Sequence, residues 1–172
     1  MIVIGTSPGR ENWLSDCLNS LQKPCLIIRD SNYELGKIKW CQENLKNPFF
    51  FFQDSVVFKS TDWIDEALKQ NQSISLNNDP DLYGTYMGIY DPKILNQIDV
   101  PIPTNKAEAV ELELTWTKKY VAKAGAVQIL FPDLKDSNAT RKELRHGREN
   151  LVLENDYLIK YKGNWGQKPI LD

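Results

Sequence analysis

The sequence predicts a single α/β domain with a mostly parallel central sheet flanked by helices, and three observations carry that prediction. Short, wholly apolar runs at residues 2–4, 25–28 and 49–52 have the length and composition of strands covered on both faces. The segments between them place apolar side chains at helical spacing. Strand and helix therefore alternate three times, an order that favours parallel strands joined by right-handed crossovers.

The elements follow in order. Ile2, Val3 and Ile4 form the first strand, and Ser7-Pro8 then reads as a helix entry, with Ser7 as N-cap and Pro8 at the first helical position. Leu14, Cys17, Leu18 and Leu21 fall on one face of that helix, which Pro24 ends. The second strand closes on Arg29-Asp30-Ser31-Asn32, and the next helix carries Leu35, Ile38, Cys41 and Leu45 on one side. The third strand lies in PFFFFQDSVVF, residues 48–58, with Asp54 at its carboxyl end. Ser60, Thr61 and Asp62 offer caps for a helix through Trp63, Ile64, Ala67 and Leu68.

The second half is less regular. Residues 73–76 and the aromatic, glycine-punctuated residues 83–90 read as strands, and Asp91-Pro92 opens a brief helix. Asn105 and Glu108 form a capping box for a long helix with a core stripe of Ala107, Val110, Leu114, Thr117, Val121 and Ala124. A strand over residues 126–131 follows, then a polar stretch, then the apolar and aromatic residues 151–161. No linker or second core appears, so residues 1–172 read as one domain: 1–80 a ligand-binding half, 81–172 a second half with a tail.

Bulk properties narrow the function. With 41% hydrophobic and 26% charged residues the composition is that of a globular chain. A net charge of −2 supplies no global attraction to nucleic acid or to an acidic membrane. The basic residues Arg141, Lys142, Arg145, His146 and Arg148 nevertheless cluster, which leaves a local anionic partner open. Cys17, Cys25 and Cys41 lie in apolar stretches without metal spacing, as buried thiols of a reducing compartment do. No run approaches the roughly 18 apolar residues of a membrane span, and no secretory leader is evident, so a cytoplasmic location is expected.

The chemistry gathers at one sheet edge. In parallel strands the carboxyl ends are neighbours, which brings together the Thr6-Ser7-Pro8-Gly9-Arg10 loop, Asp30 and Asp54. Neither GxxxxGK[ST] nor GxGxxG is present. Two carboxylates beside a helix N-terminus suit a nucleotide sugar: one accepts hydrogen bonds from ribose or base, the other holds a cation against the diphosphate.

On these residues the chain resembles the GT-A glycosyltransferases. LGKIKWCQENLKNPFFFFQDSVVF, residues 35–58, looks like their helix-then-strand segment, in which an aspartate-containing DxD motif ends the strand. Arg29-Asp30-Ser31-Asn32 is similar to the acidic end of their second strand, which contacts the nucleoside, and Gly36 and Lys37 fall where such enzymes approach the nucleotide. YGTYMGIYDPKIL resembles the strand that leads to their acceptor side.

The resemblance implies a GT-A-like (Rossmann-like) fold and transfer of a sugar from a nucleotide-diphosphate donor, a uridine one, to an acceptor that includes nucleic acid among its candidates. Thr6, Ser7, Pro8, Arg10, Asp30, Gly36, Lys37, Gln53, Asp54 and Ser55 would then bind the donor. A Mn²⁺ or Mg²⁺ on Asp54 would hold the diphosphate, completed by His146, the only histidine. A base for the acceptor hydroxyl would come from the long helix, with Glu111 preferred over Glu108 and Glu113.

One departure stands out: a full DxD needs a second carboxylate at position 56, where this chain has Val56. Asp54 with help from elsewhere, a metal-independent enzyme and a degenerate site all follow from that gap. The other readings are nucleotidyl transfer on a related fold and a non-catalytic binding module. His146 has a simpler reading as a loop histidine, and the cations and rings of the tail, Lys160, Lys162, Tyr157, Tyr161 and Trp165, suit either a ligand or packing on the sheet.

Overall fold

The computed structural model describes residues 1–78, 86–125, 127–135 and 150–163. The chain runs β1 (Ile2–Thr6), α1 (Glu11–Leu21), β2 (Leu26–Arg29), α2 (Tyr33–Asn44), β3 (Phe49–Gln53), β4 (Val56–Phe58) and α3 (Asp62–Lys69). It continues through β5 (Ile74–Asn78), β6 (Met87–Tyr90), α4 (Pro92–Leu95), α5 (Lys106–Ala124), β7 (Gln128–Lys135), β8 (Asn150–Glu154) and β9 (Leu158–Gly163). Six strands form one sheet in the order β2-β1-β3-β6-β5-β7, and β4-β9-β8 form a second, antiparallel one. The large sheet is mixed: β1 pairs in parallel with β2 and β3, and β5 with β7, while β6 runs antiparallel to both its neighbours.

The phenylalanine run explains how two layers of helix and sheet share one central strand. Side chains alternate across a strand, so Phe49 and Phe51 enter one core with α2, α4 and α5, while Phe50 and Phe52 enter the other with α1, α3 and the small sheet. All four rings are fully buried. Fully burying one such ring contributes on the order of 1.5–3 kcal/mol, so β3 anchors both faces. The helical stripes agree with their periodicity: Cys17 and Leu21 of α1, and Leu35, Ile38 and Cys41 of α2, are buried.

Several expectations are corrected. Helix α1 begins at Glu11 rather than at Pro8, because Gly9 takes a left-handed φ of 82° that ends the turn before the helix starts, leaving Arg10 as N-cap. The apolar run 48–58 is two strands in two sheets, split by the turn at Asp54-Ser55. The alternation of strand and helix does not give an unbroken parallel sheet, since β6 inserts between β3 and β5. Strand β7 starts and ends later than residues 126–131, and residues 151–161 belong to a hairpin.

The α5 stripe is also different. Trp116, Thr117 and Tyr120 are its buried residues, whereas Ala107 is exposed, since Trp116 and Tyr120 turn inward to meet Tyr90. The capping at its start is shifted by one: Asn105 accepts from the Glu108 amide, but the Glu108 carboxylate reaches Thr104. Residues 83–85, the basic cluster 141–148 with His146, and Trp165 lie outside the described residues. Among the described residues no helix is long and apolar enough to cross a membrane.

Candidate functional site

Strand β1 feeds β2 on one side and β3 lies on its other side. The order of connections thus reverses between β1 and β3, the topological switch point where open α/β sheets bind ligands at their carboxyl ends. Thr6 ends β1 and Gln53 ends β3 at this point, and the Asp54 amide donates to the Gly5 carbonyl, tying the two ends together.

Asp54 is 1% exposed and fully engaged. Its Oδ2 accepts from the Thr6 hydroxyl at 2.6 Å and from Arg10 Nε at 2.8 Å; its Oδ1 accepts from Arg10 Nη2 at 2.5 Å and Nε at 3.0 Å. This is a forked, charge-assisted pair, among the stronger kinds of protein hydrogen bond. The shift of the α1 start makes it: with Arg10 as N-cap, its side chain leaves the helix toward β3. The guanidinium also lies 5.3 Å from the Trp13 ring, a cation–π contact that fixes its plane.

A second network runs alongside. Lys160 of β9, 3% exposed, donates to Gln53 Oε1 at 2.6 Å and to Ser55 Oγ at 2.5 Å, and lies 5.4 Å from the Tyr86 ring. Gln53 in turn donates through Nε2 to Glu34 at 2.5 Å. Carboxylate, amide, ammonium and hydroxyl thus form one chain from α2 to β9. Burial pulls the Lys160 pKa down to about 8, against the opposing pull of the Asp54 and Glu34 charges.

The third network lies at the end of β2. Lys37, 2% exposed, donates to the Tyr33 carbonyl at 3.0 Å and pairs with Asp30 Oδ1 at 3.2 Å. Asp30 also accepts from the Asn32 amide, which shapes the turn, and Tyr33 takes a left-handed φ of 56° as α2 begins. Such backbone strain in a bulky residue clusters at functional sites.

The expected site residues therefore divide. Thr6, Arg10, Gln53, Asp54 and Ser55 converge at the switch point, and Asp30 with Lys37 forms a second group on the adjoining strand. Ser7 and Pro8 sit in the turn before Arg10, where no side-chain hydrogen bond caps α1. Gly36 is explained by packing, since a Cβ there would lie 2.3 Å from Asn32 Cβ. Glu111 is exposed on α5, whereas Glu113 lines a small crevice with Tyr33, Glu34, Leu35, Pro103 and Ala109. Val56 is fully buried in the core and stands directly opposite Lys160 in the β4–β9 pairing, so position 56 adds an apolar side chain there.

Sequence reasoning singled out Lys160 as a tail cation but did not place it in the site. The signal was present: Leu158 and Lys160 share a parity in an alternating strand, and Leu158 is buried. A lysine at a core-facing position asks for polar partners.

No family model and no curated protein matches the chain. The crystal structure of A197 from STIV is similar to it over 69% of this chain and 77% of that one, with 10% sequence identity and a TM-score of 0.48.

Proposed function

We propose that this chain is a nucleotide-sugar-dependent glycosyltransferase that takes the nucleoside diphosphate of its donor at the carboxyl ends of β1, β2 and β3, with a uridine diphosphate sugar as the expected donor. The observation that carries this reading is the placement of two charged groups at the carboxyl ends of these strands, Arg10 and Asp54 with Lys160 behind them, and Asp30 with Lys37. Guanidinium and ammonium groups suit a diphosphate. Asp30, with its side chain 28% exposed, is the carboxylate able to accept from a ribose hydroxyl or a base N–H.

In the transfer, the bond between the anomeric carbon and a diphosphate oxygen breaks, and an acceptor oxygen bonds to that carbon. Positive charge fixed near the departing diphosphate stabilises it as its negative charge grows. The acceptor's proton passes to a base. A second reading, a binding module without turnover, is favoured by the saturation of Asp54.

A thermal-shift panel of nucleotide sugars, paired with a measurement of nucleoside diphosphate release, tests both. A ligand of the native state raises apparent stability. Stabilisation by a UDP-sugar with release of UDP supports transfer, and stabilisation without release supports the binding module. Stabilisation by nucleoside triphosphates alone, or by no nucleotide, overturns the donor reading.

A further inference from the structure

The divalent cation expected on Asp54 fits the described residues poorly. A carboxylate offers about four lone-pair positions, and both Asp54 oxygens are already engaged by three donors: the Thr6 hydroxyl, Arg10 Nη2 and the Arg10 Nε–H shared between them. The position that would supply a second carboxylate holds Val56, a buried apolar residue opposite Lys160. Among the described residues no group of three or more His, Cys, Asp or Glu could hold a metal. A cation reaching Asp54 would have to expel Arg10 and then stand beside two displaced or buried positive charges.

We infer that this site holds the diphosphate of its ligand without a divalent cation, on the guanidinium of Arg10, with Asp54 serving as the buried counter-ion that aims it. The inference rests on the donor reading above and adds how the diphosphate is held. A guanidinium has five N–H donors in a fixed fork; Asp54 engages Nε and Nη2, which leaves the outer part of the fork for a second anion. Arg10 is the accessible member of the pair, its side chain 21% exposed against 1% for Asp54.

Three neighbouring features bear on this. Arg10 stands at the N-terminus of α1, an 11-residue helix whose cap residue makes no side-chain cap, so the positive end of the helix dipole adjoins the fork, while the Glu11 carboxylate of the first turn takes the Glu11 and Gly9 N–H groups. Trp13, the ring under the guanidinium, is 4% exposed and keeps a buried indole N–H without a hydrogen-bond partner. Lys160, locked onto Gln53 and Ser55, supplies a second, fixed positive charge behind the turn.

Isothermal titration of a panel of nucleoside diphosphates and of inorganic pyrophosphate, in EDTA and in Mn²⁺, tests this on the full chain. The variants are Arg10→Lys, Asp54→Asn and the double variant Arg10→Met/Asp54→Asn. Removing both partners avoids a lone buried charge, so the double variant keeps the fold, which circular dichroism checks. Wild type is expected to bind in EDTA with little change on adding Mn²⁺. The double variant should lose about tenfold or more in affinity, the worth of one charge-assisted hydrogen bond, and Arg10→Lys should lose part of it. Asp54→Asn should retain binding in EDTA.

Binding that requires Mn²⁺ and disappears in Asp54→Asn would overturn the inference while leaving the donor reading standing. Equal affinity of wild type and double variant in EDTA would also overturn it. No binding of any nucleoside diphosphate under either condition would sink the donor reading itself, and this inference with it.

Discussion

Asp54 and Asp30 close two strands that flank β1, and their surroundings could hardly differ more. Asp54 is 1% exposed and held by the Thr6 hydroxyl and the Arg10 fork, while the backbone amides of both aspartates donate to β1. Asp30 has a side chain 28% exposed and meets one ammonium at 3.2 Å. The comparison teaches that a carboxylate at a strand end is read by what surrounds it. Asp54 is committed to the fold and to aiming Arg10, whereas Asp30 keeps capacity for a ligand.

The largest effect expected from this contrast is on stability. Arg10→Met strands a buried carboxylate and should cost about 3–5 kcal/mol. Asp54→Asn leaves a guanidinium that can turn toward water, and should cost about 1–3 kcal/mol. Urea denaturation of both variants checks the order; equal costs would break the claim that Arg10 is the accessible partner.

Asp30→Asn should show a different balance. The amide still accepts from the Asn32 N–H, but the buried Lys37 loses its counter-ion, so stability should fall by about 1–3 kcal/mol. Nucleoside diphosphate binding should weaken by roughly 1.5–3 kcal/mol, the worth of a hydrogen bond to a charged group. Unchanged affinity in a titration would remove Asp30 from the site.

The Lys160 network adds a pH signature. Its folded pKa, about 8, lies below the ordinary 10.5. Between those values the unfolded chain holds a proton that the folded chain has released, so the contribution of this group to stability rises with pH through that window. Below about pH 8 the full cost of burying the charge is present. Denaturation of wild type and Lys160→Met at neutral and at alkaline pH should show the difference moving in favour of wild type at the higher pH. A flat difference would show that the ammonium is not buried.

The smallest effect is expected at Glu111, exposed on α5. Glu111→Gln should shift stability by less than about 0.5 kcal/mol and leave nucleotide binding unaltered in the same titration. A clear loss of either would mean that α5 presents a different face to the crevice.

Legibility in the sequence followed the range of the interactions. Helix α2 was readable because Leu35, Ile38 and Cys41 repeat at its own period, and β3 because four consecutive rings suit a strand covered on both faces. The convergence of Thr6, Arg10 and Asp54 was readable from topology, since parallel strand ends are neighbours. What was not legible came from distant partners. The pairing of Val56 with Lys160 in register sends residues 56–58 to another sheet, and nothing local to VVF announces it. The antiparallel insertion of β6 depends likewise on the competing edges of β3 and β5. Charge pairing was hidden too: Arg10 looked like a loop residue until the left-handed Gly9 moved the start of α1.

Lys160 meets Gln53 and Ser55 across 107 and 105 residues of chain. Domains tend to form from the N-terminus as synthesis proceeds, so β1, β2 and β3 can pair long before the strand bearing this lysine exists. The crevice is accordingly finished by the last described strand of the polypeptide. A nascent chain halted near residue 155 would carry every strand-end residue of the switch point and would still lack the ammonium between Gln53 and Ser55. The site is thus complete only once β9 has been made.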